Sequence, residues 1–237
     1  MDPQNIVRYM AGDQDFISPI MSNPENVYQL GPNAYSKPAT ALNILRETVM
    51  GRQLFDHAFK TFSQRWMFKH PTPEDFFRTM EDASAFDLDW FWRGWFFTTD
   101  VVDMGVTEVK DLKKLGDDKR YFSLYYKRSL ENLTPEELKN RKENRKFYEV
   151  VFEKPGGLVM PLIVDYKYAD GTTERKTYPA QVWRKNDKTI SKYIATDKEL
   201  VGVVVDPDNA TADVNKDNNN WPKVIEENDF EKFKKQQ

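Results

Sequence analysis

The run Trp90-Phe91-Trp92-Arg93-Gly94-Trp95-Phe96-Phe97 constrains this chain more than any other stretch. Wound as a helix, it puts Trp90, Phe91 and Gly94 on one face and Trp92, Trp95 and Phe96 on another. A helix that is apolar nearly all round has to be buried, so the run predicts a helix at the centre of a core. Aromatic faces also stack sugars and bases, so an exposed ligand platform is the competing reading.

The run ends at Thr98-Thr99-Asp100, and the character of the chain changes there. Residues 1–100 hold four of the six tryptophans and a net charge of -4; residues 101–237 carry +1. The first part reads as helices. Asn5 to Ala11 is a short helical stretch in an irregular, proline-broken region up to residue 34. From Lys37, Leu42, Leu45 and Val49 recur at spacings of three and four, and Gly51 ends that helix. Leu54, Phe55, Phe59, Phe62 and Trp66 mark a second helix over about 52–68, broken at His70-Pro71. Thr72-Pro73-Glu74-Asp75 is a helix start, with Thr72 as cap, Pro73 in first position and acids in the first turn. That helix runs to about Asp82, and Asp87 caps the aromatic one.

The second part reads as strands. Leu158, Met160, Leu162, Val164, Tyr166 and Tyr168 alternate on one face, and Pro161 points to an edge or a bulge. Asp170-Gly171 is a hairpin turn with Thr172 to Tyr178 as the return strand. Val106 to Val109, Tyr121 to Tyr126, Gln181 to Arg184 and Leu200 to Val205 are further strands. Thr134-Pro135-Glu136-Glu137 opens a polar helix to about Arg145, and Asp229 to Lys235 forms a terminal one. The expected organisation is a helical unit over 1–100, an antiparallel β-sandwich over 101–210 and a polar tail over 211–237.

Composition excludes several chemistries. There is no cysteine, hence no disulfide, thiolate metal site or Cys nucleophile. The two histidines, His57 and His70, lie too far apart for a His-Glu-x-x-His pair on one helical face. No metal site is therefore expected in this chain. His57 reads as a structural or surface residue and His70 as a tie for its turn. The formal charge of -3 gives no footprint for nucleic acid. No apolar run spans a bilayer, and Met1-Asp2-Pro3-Gln4 lacks the start of a signal peptide; the expectation is a soluble chain. Asp213, Asn215, Asp217 and Asn219 alternate like a calcium loop, but Asn218 and Val224 occupy the positions that need Gly and Glu. A surface turn after the last strand is the alternative. Glu74, Asp75, Glu81 and Asp82 offer carboxylate pairs, the first two explained as helix N-terminal charges. Pro155-Gly156-Gly157 is a turn before a strand rather than a phosphate loop.

Tyr35-Ser36-Lys37, Leu42-x-x-Leu45-Arg46-Glu47-x-x-Met50-Gly51-x-x-x-Phe55, Trp66-x-Phe68-Lys69-His70-Pro71-Thr72-Pro73-x-Asp75-Phe76 and Met80-Glu81-x-x-Ser84-x-x-Asp87-Leu88-x-Trp90-Phe91-x-x-Trp95 together resemble one family. It is the M1 family of zinc metallopeptidases, the gluzincins that include aminopeptidase N and leukotriene A4 hydrolase. Tyr168-Ala169-Asp170-Gly171-Thr172 is similar to the β-sandwich that follows their catalytic domain. The resemblance covers about residues 30–220. It implies an α+β multidomain fold: the helical second half of a thermolysin-like catalytic domain, then the antiparallel β-sandwich. It implies a C-terminal piece of a peptidase, aminopeptidase-like, that acts on peptides. The zinc belongs to the full-length parent, whose ligands and substrate strand lie upstream in the missing N-terminal catalytic half. This chain alone is expected to be inactive. The compartment is left open, periplasmic or secreted if an upstream signal precedes the parent.

The resemblance carries over one catalytic residue, Tyr35. It matches the family tyrosine whose hydroxyl donates to the oxyanion of the tetrahedral intermediate, opposite zinc. The family usually reads Tyr-Glu-Lys-Gly where this chain has Tyr35-Ser36-Lys37-Pro38. The rival class is a non-catalytic binding module for a glycan or a protein, which calls for an exposed row of aromatics on the sandwich.

Overall fold

The fold is known from a computed structural model that describes residues 2–112, 134 and 145–223. Its helical part comprises α1 (Gln4–Met10), α2 (Lys37–Ile44), α3 (Arg52–Trp66), α4 (Pro73–Ser84) and α5 (Asp89–Phe97). Two π turns, Pro32–Ser36 and Leu45–Val49, extend α2 at either end. Gly51 stops this continuous helix at φ +82, a conformation that costs glycine little. α4 starts as its sequence predicts. The Thr72 hydroxyl accepts from the Asp75 N–H at 3.4 Å, and the Asp75 carboxylate accepts from the Thr72 N–H at 2.9 Å. This reciprocal pair satisfies two donors that the helix leaves open.

α5 starts differently. Asp87 does not cap it; its carboxylate pairs with Arg184 at 3.0 Å. The Leu88 N–H donates instead to Glu81 Oε1 of α4, at 2.8 Å. The two helices are thus joined by a side chain, and Phe77 of α4 stacks on Trp92 of α5 at 4.7 Å between ring centroids. Phe91, Trp92, Trp95 and Phe96 are all buried. This matches the core reading of the aromatic run.

The strands form two antiparallel sheets. β1 (Gly105–Asp111), β2 (Lys146–Glu153) and β5 (Thr189–Thr196) lie in the order β1-β2-β5. β3 (Leu162–Tyr168), β4 (Thr173–Tyr178), β6 (Leu200–Val205) and β7 (Asn220–Trp221) lie in the order β4-β3-β6-β7. The alternating face of Leu158 to Tyr168 is buried throughout. β3 and β4 form the expected hairpin, with Gly171 at φ +81 in its turn. Pro161 does not put β3 at an edge. It directly precedes the strand, where no ladder N–H is required, and β3 lies between β4 and β6.

Two further expectations need correction, and two strands are new. Gln181 to Arg184 is not a strand; Ala180–Arg184 is a 3-10 helix that follows Pro179. Its anchor is Trp183, buried, with Nε1 donating to the Met160 carbonyl at 3.0 Å. β2 and β5 are strands that the sequence reading did not assign. Residues 211–223 do not leave the body as a tail. Thr211, Ala212 and Asp213 are buried, Asp213 bridges Val102 in parallel, and β7 extends the second sheet. The strand expected at Tyr121 to Tyr126, the helix after Thr134 and the one at Asp229 to Lys235 lie outside the described residues.

Helices and strands share one continuous hydrophobic cluster, from Ile6 and Trp95 to Tyr166 and Val205. At their junction Pro155-Gly156-Gly157 runs against residues 100–103. A Cβ on Gly156 would lie 2.4 Å from the Val101 carbonyl oxygen and 2.6 Å from the Asp103 N. Glycine is required there by close main-chain approach, not by phosphate binding.

The acidic stretch after β6 belongs to the same junction. Asp213 Oδ2 accepts from the Met104 N–H at 3.1 Å and Oδ1 from the Asn215 N–H at 2.9 Å. With Asp213 and Asn219 both buried, this is not a surface turn. Burial pushes the Asp213 carboxyl up to about 7; the two N–H donors pull the other way, and Asp103 and Asp206 add to the rise. A consequence for stability follows. Near pH 3 the carboxyl is protonated whether the chain is folded or not. As pH rises from about 4 to about 7, the unfolded chain gives up this proton and the folded one keeps it, so stability falls. Above about 7 the effect is complete. Chemical denaturation across this range should show that decline in the wild type and a shallower one in Asp213→Asn. Equal slopes for the two proteins would mean that Asp213 is not held protonated.

Candidate functional site around Tyr35

Tyr35 lies in the π turn Pro32–Ser36, immediately before α2, with 71% of its surface exposed. Residues two apart on a helix point to opposite sides. If Tyr35 faces out, Asn33 and Lys37 face in, and both are 1% exposed. Asn33 Nδ2 donates to the carbonyls of Ser18, at 2.6 Å, and Pro19, at 3.2 Å. Lys37 Nζ donates to the Thr98 carbonyl just past α5, at 3.1 Å. Burial lowers the Lys37 ammonium to about 8, against the opposing pull of Asp100. The turn is therefore fixed on its inner side and open on its outer side.

Other aromatic and apolar side chains are exposed along the segment that leads to this turn. Phe16, Tyr28 and Leu30 each show more than half their surface, and Phe16 meets Tyr28 edge to face at 6.0 Å. Gln29 Nε2 donates to the Phe16 carbonyl at 3.1 Å and closes the loop between them. A phenol presented on such a surface can donate one hydrogen bond to an oxygen that gains charge.

His57 and His70 are both exposed, on α3 and after it, and do not join Tyr35. His70 does not tie down its turn as expected. Among the described residues no three His, Cys, Asp or Glu side chains converge to hold a metal ion. The strands expose one large aromatic among the described residues, Tyr193, at 40%. The remaining strand aromatics are buried or half-buried, so they do not form the exposed row that a glycan platform calls for.

Lys37 enters the sequence reading as a helix start and as part of a motif, and neither it nor Asn33 is given a role there. Asn33 lies in the stretch read as irregular, and only the π turn Pro32–Ser36, continuous with α2, places it with Lys37 on the side opposite Tyr35.

No family model matches the chain, and no curated protein matches it. Among solved structures the fold is similar to aminopeptidase A from Legionella pneumophila, determined in complex with aspartic acid. The TM-score is 0.53 at 13% sequence identity, over 89% of this chain and 21% of that one. This chain thus spans about a fifth of the length of that aminopeptidase. The fold is α+β, and its likeness to part of an aminopeptidase runs through both helices and sheets. Among the described residues no helix is long and apolar enough to cross a membrane.

Proposed function

We propose that this chain is the C-terminal part of an M1-like zinc metallopeptidase, an aminopeptidase in type, and that it is inactive alone. In this reading α1 to α5 form the second half of a thermolysin-like domain, and the two sheets form the β-sandwich behind it. Zinc and the residues that bind it belong to the missing N-terminal half. When bound there, zinc supplies an activated water for peptide-bond hydrolysis. Tyr35 of this chain holds its phenolic proton toward the carbonyl oxygen of the scissile peptide and stabilises the charge that develops on it.

The observation that carries the proposal is the placement of Tyr35. The tyrosine singled out by the motif stands exposed on an anchored turn, within a fold similar to part of an aminopeptidase. The coding sequence upstream of Met1 tests it. A His-Glu-x-x-His motif in frame within about 100 residues is expected; an upstream region without one overturns the proposal.

A second test uses the chain itself. Protein stripped of metal, incubated with zinc and desalted should retain no stoichiometric zinc by elemental analysis. One zinc per chain, lost on replacing His57 or His70, would place a metal site inside the chain and contradict the division of labour proposed here.

A further inference from the structure

Of the two buried polar side chains beside Tyr35, Lys37 reaches the carboxyl end of α5 directly and Asn33 reaches the segment 18–21 that is bonded to it. The last carbonyls of a helix have no partner within it and carry its negative pole. In α5 the Gly94 carbonyl accepts from Thr98 Oγ1 at 2.8 Å, and the Phe96 carbonyl accepts from the Met21 N–H at 2.9 Å. One residue past the end of α5, the Thr98 carbonyl accepts from the Lys37 ammonium. Met21 belongs to the same short segment as Ser18 and Pro19, whose carbonyls accept from Asn33. Both flanks of the Tyr35 turn are thus connected to α5, one directly and one through residues 18–21. The Lys37 N–H also donates to the Pro32 carbonyl and closes the turn around Tyr35 itself.

We infer that Asn33 and Lys37 are positioning residues that hold the Tyr35 turn against the end of the aromatic helix and so aim its hydroxyl. The inference rests on the reading of Tyr35 as a hydrogen-bond donor. A lysine is a costly choice for mere filling. Burying an ammonium carries a desolvation penalty that an apolar side chain of the same length avoids, and its single strong hydrogen bond supplies direction instead. Asn33 adds a second direction, with one amide nitrogen shared between two carbonyls. Asp100 is the charged group that acts on Lys37, against the larger effect of burial; it also acts on the buried Lys154, after Lys188 and Asp187.

The test uses the full 237-residue chain with ring-13C tyrosine, the Tyr35 signal being assigned by its loss in Tyr35→Phe. In Lys37→Met the signal should move from its wild-type position toward that of free tyrosine, while the Tyr148 signal stays in place. Asn33→Asp keeps the shape but removes the amide donors, and should move the Tyr35 signal as well. If Lys37→Met fails to fold, Asn33→Asp decides the matter. A Tyr35 signal unchanged in folded Lys37→Met or in folded Asn33→Asp overturns the inference. Neither result bears on whether Tyr35 donates during catalysis, which the turnover of Tyr35→Phe decides separately.

Discussion

Trp95→Ala is expected to lower the stability of the fold by about 3–5 kcal/mol. Trp95 is fully buried, beside Phe91 at 5.9 Å between ring centroids, and belongs to the cluster that joins helices to sheets. Its indole Nε1 has no hydrogen-bond partner among the described residues. The ring therefore contributes through packing, and truncation leaves a cavity that α5, held at both ends, cannot close. Phe97 provides the contrast. It sits two residues on, is 47% exposed, and its loss should cost about 1 kcal/mol or less. Urea unfolding of both variants checks the pair. A loss below about 1 kcal/mol for Trp95→Ala would mean that the aromatic helix is a platform and not a core.

What was legible in the sequence divides along the range of the interactions. The α4 cap was legible because Thr72 and Asp75 are three residues apart and satisfy each other. The β3–β4 hairpin was legible because the alternation from Leu158 to Tyr168 and the Asp170-Gly171 turn are both local. The 3-10 helix at Ala180–Arg184 was not. A short stretch such as Gln181-Val182-Trp183-Arg184 fits either geometry, and the choice depends on the Met160 carbonyl that Trp183 meets across the fold. Asp213 fails in the same way. Its burial depends on the Met104 N–H, 109 residues earlier, and a spacing rule could see only an acidic alternation. The start of α5 shows the same limit at shorter range: Asp87 has the right chemistry for a cap, but Glu81 reaches the site first and Arg184 takes Asp87. Tyr35 is the extreme case. On residue type alone it is an ordinary tyrosine; it was found by resemblance, and its anchor Asn33 was not legible because the π turn that aligns it with Lys37 lies in a stretch that reads as irregular.

If the proposed function holds, Tyr35→Phe in the full-length parent is expected to lower kcat by about 10²–10³-fold. The substitution removes one hydroxyl and leaves the ring, so packing is unchanged at a position already 71% exposed. KM should change little, because the charged oxygen exists only along the reaction path and not in the bound substrate. Zinc content should match the wild type, since Tyr35 is not a ligand in this reading. Thermal stability should match as well, because Asn33 and Lys37, not Tyr35, attach the turn to the body. These expectations separate a donor from a tyrosine that merely covers the surface, whose loss would leave all four quantities alone. They also separate it from a substrate-binding tyrosine, whose loss would raise KM. Steady-state kinetics on an aminoacyl amide, with metal analysis of the same preparations, measures all of these but stability, which a thermal melt supplies. Retention of kcat within about threefold of wild type would remove Tyr35 from the mechanism.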